Sequence, residues 1–301
     1  MSRWLEKLVN NEMADRYMNG ENLVHGFAVY AASLRPNESS GTVLKALCME
    51  HPVTEDAEVG DILTLRFPLT PADKTVPAMG GNTPEHLVIT GGDFLQPPPF
   101  DGRGIINLPA DPLAPHLYVA PALLRGGAQL LKRHPDGSEP TLIATYRGPI
   151  YGWVPPQDAP TDRSFPLLPP NKFVGPQISK DGTSLQPAQF NLSDDDELQR
   201  VFALAVVDGK LGYGEVPKDD PADIGYLRVQ TTYKGLPVAI VGWSDEEGAF
   251  RAICLSHDAY AAQERGFSFV EPGVYETVIA VTDLEGLPRY LLETPTGWAR
   301  S

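Results

Sequence analysis

Ser256, His257 and Asp258 stand side by side, and their types are those of a hydrolase triad. A working triad needs nucleophile, base and orienting acid to converge in space, and consecutive residues point apart. Ser and Asp also serve at helix starts, where they accept hydrogen bonds from unpaired backbone N–H groups. The helix-cap role fits this stretch better. The six histidines are His25, His51, His86, His116, His134 and His257. None is spaced as a metal pair on a helix or joined to a cysteine pair. Cys48 and Cys254 each sit in an apolar run and read as free buried thiols. Gly80-Gly81, Gly91-Gly92 and Gly102-Arg103-Gly104 form neither a P-loop nor a dinucleotide fingerprint. The acidic run 193–197 lacks the spacing and glycine of a calcium loop. It reads as a helix start, with acids at the positive end of the dipole. Two distant carboxylates could meet for glycoside hydrolysis, but no spacing selects a pair. No catalytic, cofactor or metal residue is assigned on these grounds.

The strongest pattern is an echo. Thr145-Tyr146-Arg147-Gly148 leads to Gly152-Trp153, and Thr232-Tyr233-Lys234-Gly235 leads to Gly242-Trp243. Each stretch reads Thr, Tyr, a cation, Gly, a few apolar residues, then Gly-Trp. The two copies diverge after the tryptophan, so they share a strand end rather than a whole domain. Two roles stand open for the tryptophans. They can close the rim of a sheet, with glycine allowing close backbone approach. They can also stand exposed as anchors, because Trp, Tyr and Arg dominate binding hot spots. The partner-binding set on that second reading is Tyr151, Trp153, Trp243, Tyr260 and Arg265.

The elements that must position these residues are mostly strands. With 28 Gly and 30 Pro in 301 residues, the chain favours short strands and turns. Apolar spacing of three and four predicts a helix over 2–18. Strands are expected over 24–34, 41–50, 61–68, 86–90 and 117–124. Residues 128–134 and 141–147 flank Pro135-Asp136-Gly137-Ser138, a hairpin signal. A proline-rich stretch, 155–190, reads as a linker between an N-terminal β-rich domain with its helix (1–154) and an α+β domain (191–301). In the latter, 201–207 fits a helix end turning into a strand, or one strand of a hairpin with 210–216. Strands follow at 226–233, 237–243 and 250–255. Ser256 caps a helix over 258–265, and a last strand runs over 274–282. The fold expected is α+β: two β-rich halves with antiparallel sheets and few short helices.

The formal charge is −15. Such a surface disfavours nucleic acid and membrane partners and leaves a basic protein as a candidate. The chain opens with charged residues and holds no apolar run near 18, so a cytoplasmic location is expected.

The strand 233–243, then Ala262-Gln263-Glu264-Arg265-Gly266-Phe267, then Glu271-Pro272-Gly273-Val274-Tyr275-Glu276 resembles a pattern in actinobacterial immunity proteins. These are similar to the immunity factor for the tuberculosis necrotizing toxin, a secreted NAD-cleaving enzyme. The resemblance covers about 226–285, and its first strand recurs near 144–153. It implies a non-enzymatic, cytoplasmic binder without cofactor that neutralises a toxin, basic or NAD-cleaving. Acidic charge would speed encounter with a basic partner. The alternatives are a hydrolase with its site in a cleft between the halves, and a structural or secretion-associated scaffold.

Overall fold

The computed structural model describes residues 4–47, 59–77, 116–157, 165–244, 248–256, 258–271 and 273–298. The expected strand at 86–90, the glycine pairs near 80, 91 and 103, and Cys48, His51, His86 and His257 lie outside them.

The chain opens with a strand, β1 (Trp4–Val9), and then the helix α1 (Asn11–Met18). The helix expected over 2–18 thus begins only at residue 11. β1 has strands on both sides and is largely buried, so its apolar residues need no alternation. Asn10 ends it: its side chain accepts from the Met13 N–H at 2.8 Å and starts the helix. Next come β2 (Leu23–Tyr30) and α2 (Ser40–Ala46). A strand was expected over 41–50. Ser39 instead accepts from the Thr42 N–H at 3.2 Å, and Val43, Ala46 and Leu47 pack on Val29 and Leu34. The sheet is completed by β3 (Ile62–Pro68), β4 (Thr75–Pro77), β5 (His116–Leu123), β6 (Gln129–Arg133), β7 (Thr141–Tyr146) and β8 (Trp153–Val154). Its order is β4-β5-β2-β1-β3-β6-β7-β8, and every pairing is antiparallel.

The second sheet begins inside the expected linker, with β9 (Val174–Ser179) and β10 (Leu185–Leu192). Pro176 faces Tyr226 and Pro187 faces Gln177 in the ladders. A proline removes one donor from a ladder, not the strand. The acid run 193–197 forms no helix. It is a turn in which Ser193 N–H donates to the Glu197 carbonyl at 2.8 Å and Asp196 adopts φ 63°. It leads into β11 (Leu198–Val207), which forms a hairpin with β12 (Lys210–Val216) through Asp208-Gly209, both at positive φ. The hairpin alternative for 201–216 is the one observed.

The remaining elements are β13 (Asp223–Tyr233), β14 (Leu236–Ser244), β15 (Ala249–Cys254), the helix α3 (Ala259–Glu264), β16 (Ser268–Glu271), β17 (Val274–Ala280) and β18 (Arg289–Glu293). Residues 226–228 of β13 pair with both β9 and β18, and 229–230 with both β14 and β18. Hence β9 and β14 follow one another along one edge of β13, and β18 covers the other. The protein is strand-rich, with two antiparallel sheets and few short helices; it is nearer to all-β than the α+β expectation.

One apolar core joins the two sheets, running from Leu5, Val24, Leu65 and Tyr146 to Ile178, Phe190, Val241 and Val274. The approach is close at Gly273. A Cβ there would lie 2.8 Å from Phe27 Cε2, and its φ of +78° also disfavours a side chain. A layer of ion pairs lies beside the core. Lys7 meets Glu271 at 2.5 Å; Arg16 and Arg251 each meet both Glu21 and Glu276 at 2.6–3.3 Å.

Candidate functional site

The first Gly-Trp copy turns from β7 into β8. Arg147 N–H donates to the Gly152 carbonyl at 2.8 Å, and Gly152 N–H to Gly148 at 2.7 Å. Trp153 is 3% exposed and stacks between Tyr17 (5.5 Å) and Tyr146 (5.4 Å). Its indole N–H donates to the Glu21 carbonyl at 2.7 Å. Trp153 therefore packs the core. Tyr151, in the turn, is 60% exposed.

The second copy differs. Trp243 is 43% exposed near the end of β14 and meets Phe250 edge-to-face at 5.0 Å. Phe250 in turn meets Phe173 at 5.8 Å and packs on Leu227, Val229 and Ile240. Tyr260 is exposed on α3. Arg265 follows that helix; its Nε donates to the Lys234 carbonyl at 2.9 Å and its Nη1 to Ala261 at 3.1 Å. It clips the helix to the β13–β14 turn. Trp243 lies roughly 20 Å away along β14, at about 3.3 Å per residue. The structure thus brings Arg265 and Tyr260 onto one short helical segment, and leaves Tyr151 and Trp243 apart from them.

Ser256 Oγ accepts from Asp258 N–H at 3.2 Å, and Asp258 accepts from Ala261 N–H at 2.9 Å. Asp258 is the cap of α3, with Ser256 supporting it, rather than Ser256 itself. Burial pushes the Cys254 thiol up to about 11, which leaves it protonated and unreactive at neutral pH. His134 pairs with Asp61 and Thr141, each at 2.9 Å. Among the described residues no three of His, Cys, Asp and Glu are grouped to hold a metal, and no helix is long and apolar enough to cross a membrane.

A cavity of about 340 Å³ opens between the two sheets. The end of β5 and the turn after β7 form one side; β9, β10 and the C-terminal turn form the other. Tyr146, Ala188, Tyr226 and Trp298 are buried on its inner wall, with Phe190 meeting Trp298 edge-on at 5.0 Å. Tyr226 Oη accepts from the Leu123 N–H at 2.7 Å, tying the sheets together at the cavity floor.

Arg125, Arg147, Gln189 and Asn191 line the more exposed part. Gln189 shapes the rim. Its Oε1 accepts from Ile150 N–H at 3.4 Å, its Nε2 donates to Asn191 Oδ1 at 3.2 Å, and a Cβ on Gly148 would lie 2.8 Å from it. Arg125 is already paired with Asp196 at 3.1 Å. Arg147 carries no side-chain hydrogen bond or ion pair among the described residues.

Thr70 also lines the cavity, and its N–H donates to Asp73 at 2.6 Å. Burial pushes the Asp73 carboxyl up to about 6, against the Thr70 hydrogen bonds that favour its charge. Asp73 lies behind Thr70 rather than on the wall. The lining therefore offers guanidinium and carboxamide donors, the hydroxyls of Thr70, Tyr146 and Tyr226, and aromatic faces, which are groups that hold a ligand. Tyr146, Arg147 and Gly148 stood out in the sequence, as part of the first echo. The rest come from segments near 70, 123, 189, 226 and 298, which no motif joins.

No protein-family model, curated protein or solved structure matches the chain.

Proposed function

We propose that the protein is a non-catalytic, cytoplasmic factor that binds another protein, as an immunity factor binds and blocks a toxin. Trp243 carries this reading. It is a large indole that is 43% exposed, yet the Phe250–Phe173 stack fixes its position. A pre-positioned tryptophan loses little freedom when a partner covers it, so it suits an interface anchor. It also lies within 226–285, the segment that carries the immunity-factor resemblance. The charge of −15 favours a basic partner, whose approach it would accelerate at low salt.

Affinity capture from the lysate of its own cells tests the proposal. The wild-type chain should retain a basic protein, purified partner activity should fall stoichiometrically, and Trp243→Ala should lose the partner while keeping its melting temperature. Failure to retain any specific protein, or equal retention by Trp243→Ala, would refute it.

A further inference from the structure

We infer that the cavity between the sheets is a binding site for a small carboxylic acid with an apolar or aromatic body. This goes beyond protein binding and uses different residues. At about 340 Å³ the cavity sits at the small end of ligand sites, which span roughly 300–1,000 Å³. Its interior is apolar: Phe190, Tyr226 and Trp298 present aromatic surface and Ala188 leaves the room between them. Its mouth is polar and cationic, in a chain that is otherwise strongly acidic.

The charge state of the mouth selects the anion. Arg125 is neutralised by Asp196, so it adds shape rather than net charge. Among the described residues Arg147 is uncommitted, and its planar fork matches a carboxylate in two parallel N–H···O bonds. Asn191 Oδ1 is occupied by Gln189, which leaves the Asn191 amide N–H groups as further donors at the mouth. One free guanidinium balances a monoanion. A phosphate dianion would need a second free cation, and the lining does not supply it. The rim is also held in shape before any ligand arrives, since Gln189 braces the turn that carries Arg147.

The probes are indole-3-acetate and 3-phenylpropionate, each paired with its neutral amide, titrated into the full chain. Saturation-transfer NMR and calorimetry are the readouts. Each acid should bind at least about tenfold more tightly than its amide, the worth of one charge-assisted hydrogen bond. Arg147→Ala should weaken the acid about tenfold or more and leave the amide unchanged. Arg147→Lys should recover part of the loss. Ala188→Leu, which fills the interior, should weaken acid and amide together. Arg147 is in an exposed turn, so its variants stay folded, and circular dichroism verifies this. Equal binding of acid and amide, an unaffected Arg147→Ala, or no binding of either acid at millimolar concentration would overturn the assignment.

Discussion

His116 is a buried imidazole at the start of β5, and burial pushes it down to about 4 from its ordinary 6.5. The unfolded chain therefore takes up this proton first as pH falls. The stability tied to neutral His116 is complete above pH 6.5 and is lost progressively down to pH 4, on the order of 3 kcal/mol in all. Asp73 acts in the opposite sense. Its raised carboxyl favours the protonated fold, so acidification through pH 6 relieves a cost and offsets part of the loss. His116→Gln should accordingly flatten acid destabilisation between pH 6.5 and 4, measured by urea unfolding at a series of pH values. A variant curve parallel to wild type would show that this imidazole does not govern the acid limb.

Among the elements, the β16–β17 connection packs closely against β2 at Phe27. Gly273→Ala adds both a strained φ and a contact with Phe27, and should cost about 2–3 kcal/mol. Gly235 in the β13–β14 turn shares the positive φ, but nothing lies within 4 Å of its Cβ position. Gly235→Ala should cost only about 1 kcal/mol. Equal losses in chemical denaturation would mean that the Phe27 contact relaxes freely.

This level of structure was also the most legible in sequence. Residues 117–124, the Asp136-Gly137 hairpin and the strands of 226–255 follow from alternation and turn residues, because each has a local cause. The misreadings have tertiary causes. β1 imitates a helix because burial on both faces erases alternation. Residues 41–50 look like a strand until Ser39 is seen to cap a helix. β9 and β10 hide under prolines that their ladders tolerate. Tyr151 and Trp243 were singled out by residue type and pattern and are exposed, whereas most of the cavity had no such signal, because its wall comes from distant segments.

At the scale of the molecule, the continuous core and its ion-pair layer predict that the two sheets unfold as one cooperative unit. Glu276 holds Arg16 and Arg251, each at 3.1 Å. Glu276→Gln leaves two partly buried guanidinium groups undercompensated and should cost on the order of 3 kcal/mol. Denaturant unfolding should remain a single transition with a lower midpoint and an unchanged slope. A second transition would show that the sheets unfold separately.

The Lys7–Glu271 pair bears on how the chain is born. The two residues are 264 positions apart, and Lys7 is buried in the finished fold. During synthesis the first sheet can assemble once β8 has emerged, yet its inner face still presents a lysine with no counter-charge. It also presents apolar surface that residues from Val174 onward cover. The ribosome thus carries a half-built fold from the end of β8 until Glu271 is added. A message cut short before residue 271 should yield a sticky, protease-sensitive product rather than a smaller working protein.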